Sequence, residues 1–208
     1  MACGSLTRVN YHVTSLRRCL RTSTGSYSTS TTTDASGNYT FTSVAPGTYT
    51  GIIRGNNDGT GIGLIEVYDL DTAAASKLSN LATRGFVGGT PGDSIIAGFI
   101  LGNGNVPDRV VIRGLGPSLA AQGVPNTLQN PTLELHNGNG ALLYTNNDWQ
   151  DNPTQAAEIA AAGFAPSDSR EAAIAVTLPP DLYTAILAGL GNTTGNGLVE
   201  IYDRGPLP

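Results

Sequence analysis

Lysine occurs once in this chain of 208 residues, at Lys77, and charged residues of all kinds make up only 13%. So small a supply of Lys and Glu argues against a helical bundle, which draws on Glu, Lys, Ala and Leu to fill its exposed positions. Cysteine is confined to Cys3 and Cys19. The rest of the chain therefore has no disulfide framework, no CxxC metal site and no cysteine nucleophile. No run approaches the roughly 20 apolar residues of a membrane-spanning helix. The first 25 residues also lack the apolar core of roughly 7–15 residues that marks a secretory signal. Net charge is -5, and the arginines are unevenly placed. Arg8, Arg17, Arg18 and Arg21 precede the first acid, Asp34, so the remaining body is acidic. A surface of that sign repels phosphates and excludes a nucleic-acid partner.

Glycine (27) and proline (12) are plentiful, and Thr, Ser and Asn crowd the spaces between short apolar runs. That punctuation predicts an all-β chain. Its strongest internal signal is a repeat. Residues 44–71, VAPGTYTGIIRGNNDGTGIGLIEVYDLD, align without a gap on residues 178–205, LPPDLYTAILAGLGNTTGNGLVEIYDRG. Tyr49 matches Tyr183, Gly61 matches Gly195, Gly63 matches Gly197, Glu66 matches Glu200 and Asp69 matches Asp203. A unit of about 130 residues thus recurs, complete in its second copy and represented in its first only by the last portion.

The expected organisation is a flexible basic tail over 1–33, a partial β repeat over 34–71 and a complete β-sandwich over 72–208. Eight strands are predicted in the complete copy: 80–87, 94–101, 108–114, 132–137, 141–146, 171–178, 182–189 and 197–203. Alternation assigns their faces. Val110 and Ile112 oppose Val111 and Arg113, and Leu133 and Leu135 oppose Glu134 and His136. Asn-Gly in HNGNGALL signals a hairpin, because its turn needs residues that tolerate positive φ. A single short helix is expected over 154–164, ending at Gly163. Eight strands without long intervening helices predict an antiparallel two-sheet sandwich, jelly-roll-like. In the partial copy, strands are expected at 37–43, 48–54 and 63–69. These are too few to close a sandwich, so residues 34–69 are candidates for self-association by β-augmentation.

The run PTLELHNGNGALLYTNNDW, followed by AAIAVTLPPDLYTAIL and GNGLVEIYD, resembles the bacterial pre-peptidase C-terminal domain and the tandem repeats of large bacterial exoproteins. SKLSNLATRG (76–85) and GLGPSLA (114–120) match the opening segments of such repeats. Separately, DASGNYTFTSVAPGTYT (34–50) resembles the hairpin of carboxypeptidase regulatory-like domains. The resemblance implies an exported, non-catalytic module of the cell surface or medium, serving adhesion, ligand binding or assembly. Family motifs of this kind specify fold better than function.

Chemistry has few places to reside. Ser118 in GLGPSLA lies near a turn, but the run is not the G-x-S-x-G of a nucleophile elbow. His136 is the only histidine outside the tail. Asp148, Asp151, Asp168 and Glu171 supply the carboxylates from which a glycosidase pair could be drawn. A carbohydrate-active or ester hydrolase is accordingly the enzymatic alternative, and a self-assembling surface or filament subunit the other. The densest ligand-like run is YTNNDWQDN (144–152). Asn146, Asn147, Asp148, Asp151 and Asn152 bring hard oxygen donors into one loop, as calcium requires. The same side chains also cap turns. Trp149, the single tryptophan, sits inside that loop and is the candidate for stacking on a carbohydrate.

Overall fold

The computed structural model describes residues 18–22, 28–31, 49–52, 59–67, 79–102 and 105–206. It divides into two compact units, Met1–Leu78 and Ser79–Pro208. In the first, β1 (Arg18–Thr22), β2 (Ser28–Thr31) and β3 (Tyr49–Ile52) form an antiparallel sheet in the order β2-β1-β3. Two of these strands fall in the stretch read from sequence as a flexible tail. Threonine there, three positions across RCLRT and STST with two serines beside them, suits a pleated backbone, and β1 finds partners on both sides. The strand expected over 37–43 lies outside the described residues. The one expected over 63–69 is corrected, because residues 63–67 form no strand.

The second unit is a sandwich of two four-stranded antiparallel sheets. Its strands are β4 (Asn80–Val87), β5 (Ile95–Leu101), β6 (Asp108–Leu115), β7 (Pro131–Asn137), β8 (Leu142–Asn146), β9 (Ala172–Leu178), β10 (Asp181–Gly189) and β11 (Gly195–Pro206). One sheet has the order β5-β10-β7-β8 and the other β4-β11-β6-β9. All eight strands lie within two or three residues of the sequence expectation. Every connection passes from one sheet to the other except the β7–β8 hairpin, and the first and last strands are neighbours. That is the double Greek key of a jelly roll.

The alternation of the sequence builds the core. Val110, Ile112, Leu133, Leu135, Val199 and Ile201 turn inward from three different strands and are buried. Glycine makes room for the packed leucines between the sheets: a Cβ on Gly114 would stand 2.7 Å from Leu187 Cδ1 and 2.9 Å from Leu133 Cγ. The β9–β10 corner contains the repeated proline and tyrosine. Tyr183 donates its hydroxyl to Pro179 O at 2.8 Å and stacks on Phe99, with ring centroids 5.4 Å apart, so it pins the crossing from one sheet to the other.

A third layer covers the outer face of the β4-β11-β6-β9 sheet. Helix α1 (Pro153–Ala161) buries Ile159 against Val111, Ala173 and Ala175, with Trp149, Phe164 and Tyr202 around them. This explains why β9 reads AAIAVTL without alternation: both of its faces are covered. Because every described residue of this core follows Ser79, deleting residues 1–78 is expected to leave a cooperatively unfolding monomer. Size-exclusion chromatography with light scattering, followed by thermal melting, checks it. A remainder without a cooperative transition would show that the sandwich depends on the first unit.

Candidate functional site

The segment GLGPSLA is anchored by a buried carboxylate. Glu171 is 0% exposed and precedes β9. Its Oε1 accepts from Gly116 N at 2.9 Å, Ser118 N at 3.0 Å and Ser118 Oγ at 2.6 Å. Its Oε2 is buried without a protein donor. The Ser118 hydroxyl therefore donates its hydrogen bond to a carboxyl group fixed in the core, and among the described residues no histidine is hydrogen-bonded to it. Nucleophilic catalysis by serine needs a base within reach that is itself oriented toward the reacting atom. Glu171 instead gathers the two amides and the hydroxyl of one turn.

His136 stands on β7, on the outer face of the other sheet. Its Nε2 lies 2.9 Å from Glu134 Oε2 and its Nδ1 3.2 Å from Gly140 O. Both partners are acceptors, so the doubly protonated ring is the satisfied one. The bond to Glu134 is the largest cause of a pKa raised above the usual histidine value, followed by the Gly140 carbonyl. Its cross-strand neighbours, Thr184 on β10 and Leu142 on β8, do not titrate in this range. A raised native pKa means that the contribution to stability is complete below the unfolded value of about 6.5 and is lost as pH rises through the native value. In a proton NMR titration, His136 is expected to titrate above 6.5 and to shift downward in Glu134→Gln. An identical midpoint in the variant would remove the pair as the cause.

The four carboxylates singled out as glycosidase candidates have separate surroundings. Asp168 is bound by Arg170 through Nε at 3.0 Å, Nη2 at 2.8 Å and the backbone amide at 3.0 Å. Those bonds hold its pKa below the ordinary carboxylate value, the opposite of what a general acid requires. Glu171 is buried in the turn just described. Asp148 Oδ2 accepts from Asn147 Nδ2 at 2.9 Å, while Asp151 gives its amide to Asp148 O at 3.0 Å.

The rest of the 144–152 loop is equally engaged. Asn146 Oδ1 accepts from Ala173 N at 2.9 Å, and its Nδ2 donates to Asp148 O at 3.0 Å. Asn152 caps α1, its Oδ1 accepting from Thr154 N and Gln155 N at 3.1 Å each. Trp149 packs into the cluster beneath α1 with Nε1 buried and without an acceptor, and its amide donates to Glu171 O at 2.8 Å. The loop and the Glu171 turn thus meet through backbone. The carboxylates of Asp148 and Asp151 are the loop's remaining anionic oxygens.

One polar cluster escaped the sequence reading. Arg113 on β6 forms a two-pronged ion pair with Glu200 on β11, with Nε 2.9 Å from Oε2. It also donates to Tyr202 Oη at 3.2 Å and Phe164 O at 3.3 Å. The guanidinium lies over the Tyr202 and Phe164 rings, 5.3 and 5.9 Å from their centroids. The signal was available as a repeated Glu-x-Tyr opposite an arginine on the same sheet face. Asp203 has an equally local duty, accepting from Gly205 N at 2.7 Å.

Compared with protein-family models and with curated proteins, the chain matches none. Among the described residues no helix is long and apolar enough to cross a membrane.

Proposed function

We propose that this chain is a non-catalytic β-sandwich module of an exported or cell-surface protein, serving adhesion, ligand binding or structural assembly. The observation that carries the reading is the use made of its polar side chains. Ser118, Glu171, Asp168, Asn146 and Asn152 each hold a turn, a strand or a helix end in place. A sandwich stabilised in this way is a rigid platform whose loops and outer sheet face supply contact. The resemblance to exoprotein repeats supports the extracellular setting.

A panel of chromogenic glycosides and esters is expected to give no turnover above buffer. Turnover abolished by Ser118→Ala or Asp148→Asn would replace this reading with the hydrolase. Antibody labelling of intact cells checks the surface location. Because Trp149 is the only tryptophan, carbohydrate stacking on it is read directly from fluorescence. A sugar that leaves its emission unchanged does not bind there. The calcium proposal rests on Asp148 and Asp151 with the loop's amide and carbonyl oxygens. A ligand of the native state raises the unfolding midpoint by mass action, so equal midpoints in calcium and chelator would remove the metal.

A further inference from the structure

The repeated segment supplies one interior strand to each sheet of the jelly roll. In the second unit β10 lies between β5 and β7, and β11 between β4 and β6. The counterpart of β11 in the first unit, residues 61–67, forms no strand, and three of its four apolar side chains face solvent: Ile62 is 97% exposed, Leu64 63% and Ile65 39%. We infer that this segment is a strand-exchange element, which enters the β11 position of the β4-β11-β6-β9 sheet in a second copy of this chain.

The glycines argue for that groove in particular. A Cβ on Gly195 would stand 2.6 Å from Leu128 N, and one on Gly197 would stand 2.9 Å from Leu187 Cδ2. Whatever strand lies there must have glycine at the first position, where the neighbours are backbone, and is favoured by glycine at the second, where the Leu187 side chain would otherwise have to give way. The segment has Gly61 and Gly63 at the matching places, although a Cβ on Gly61 would meet nothing within 4 Å where it now sits. The inward side chains fit as well. Ile65 replaces Val199 and Val67 replaces Ile201, so one methylene is gained and one lost, and volume-conserving exchanges of this kind are tolerated by cores. Glu66 comes opposite Arg113, the place of Glu200. Resident and incoming strands therefore make nearly the same contacts. The closed monomer is favoured only because its own β11 is tethered, and the exchanged form grows with concentration.

This inference deepens the reading of the chain as an assembly module, but it can fail while a loop-borne ligand site stands. The test uses the full chain with Cys3→Ser and Cys19→Ser. In the β11 register Leu198 pairs with Arg84, so Leu64→Cys and Arg84→Cys are introduced together. Mild oxidation is expected to give disulfide-linked dimers whose fraction rises about tenfold for a tenfold rise in dilute concentration. The opposite-face pair, Ile65→Cys with Arg84→Cys, should give several-fold less, and adding Gly63→Val to the matched pair should abolish the dimer. Val199→Asp, which weakens the resident strand, should raise the linked fraction. The matched pair in the unmutated sheet decides the matter even if that variant unfolds. No link, equal linkage in both pairs, or a link closed within a single chain would each overturn the exchange.

Discussion

Replacing Glu171 by alanine is expected to cost the second unit about 3–5 kcal/mol, the range set by breaking a buried polar network rather than trimming a surface contact. Three hydrogens converge on one oxygen of this side chain: the amides of Gly116 and Ser118 and the Ser118 hydroxyl. Alanine leaves all three without that acceptor, and each buried donor so stranded costs about 1–3 kcal/mol. It also opens a cavity where a fully buried side chain stood. Glu171→Gln should be milder, about 1–3 kcal/mol, since it keeps an acceptor while losing the charge. Ser118→Ala removes one of the three donors and should cost about 1 kcal/mol. Urea unfolding of the three variants gives the order. A loss below 1 kcal/mol in Glu171→Ala would mean that the turn is held by something else.

Gly195→Ala should be nearly as damaging for a different reason. The new methyl would lie 2.6 Å from Leu128 N, 2.7 Å from Thr127 C and 2.8 Å from Asn126 O, all backbone atoms. Segment 126–128 is bound to β11 there by Leu128 N to Asn196 O at 2.9 Å and Asn196 N to Asn126 O at 2.7 Å. Moving it away strains or breaks both bonds and shifts Leu128, which is fully buried. Overpacking together with lost hydrogen bonds predicts about 3 kcal/mol. Gly140→Ala is the control. Its φ is +78 and a Cβ there meets nothing within 4 Å, so only left-handed strain of about 1–2 kcal/mol is expected. Denaturation midpoints separate the two. Equal losses would show that backbone conformation, not close approach, fixes glycine at position 195.

The strands were legible because their ends are written locally. Asn-Gly at the hairpin, Pro-Pro before β10 and alternation such as Leu133-Glu134-Leu135-His136 mark boundary and face within a few residues. The wiring was not legible. Nothing in the spacing of 178–205 says that its two strands belong to opposite sheets, because that depends on pairing with β5, β7, β4 and β6 far away in sequence. The chemistry followed the same division. Asn152 stands directly before Pro153, where a helix cap is written locally, although the sequence reading counts it only among the loop's oxygen donors. Glu171 was grouped with the acids of a glycosidase pair, although it stands immediately before the unbroken apolar run AAIAV, where an acid is more readily buried than solvated. Ion pairs such as Arg113 with Glu200 join residues of distant segments, and only the strand order brings them together.

The adjacency of β4 and β11 also sets how the module answers force. Asn80 pairs with Tyr202, so the polypeptide enters and leaves the sandwich at the same end. Tension along a string of such units would therefore act across that pair and open it like a zipper, one rung after another. Strands whose ends point in opposite directions share the load among all their rungs at once. Forced opening is governed by the unfolding rate, and here each step would present only a single rung as its barrier. Pulled by its two ends, the sandwich would therefore lengthen under modest force, one rung at a time.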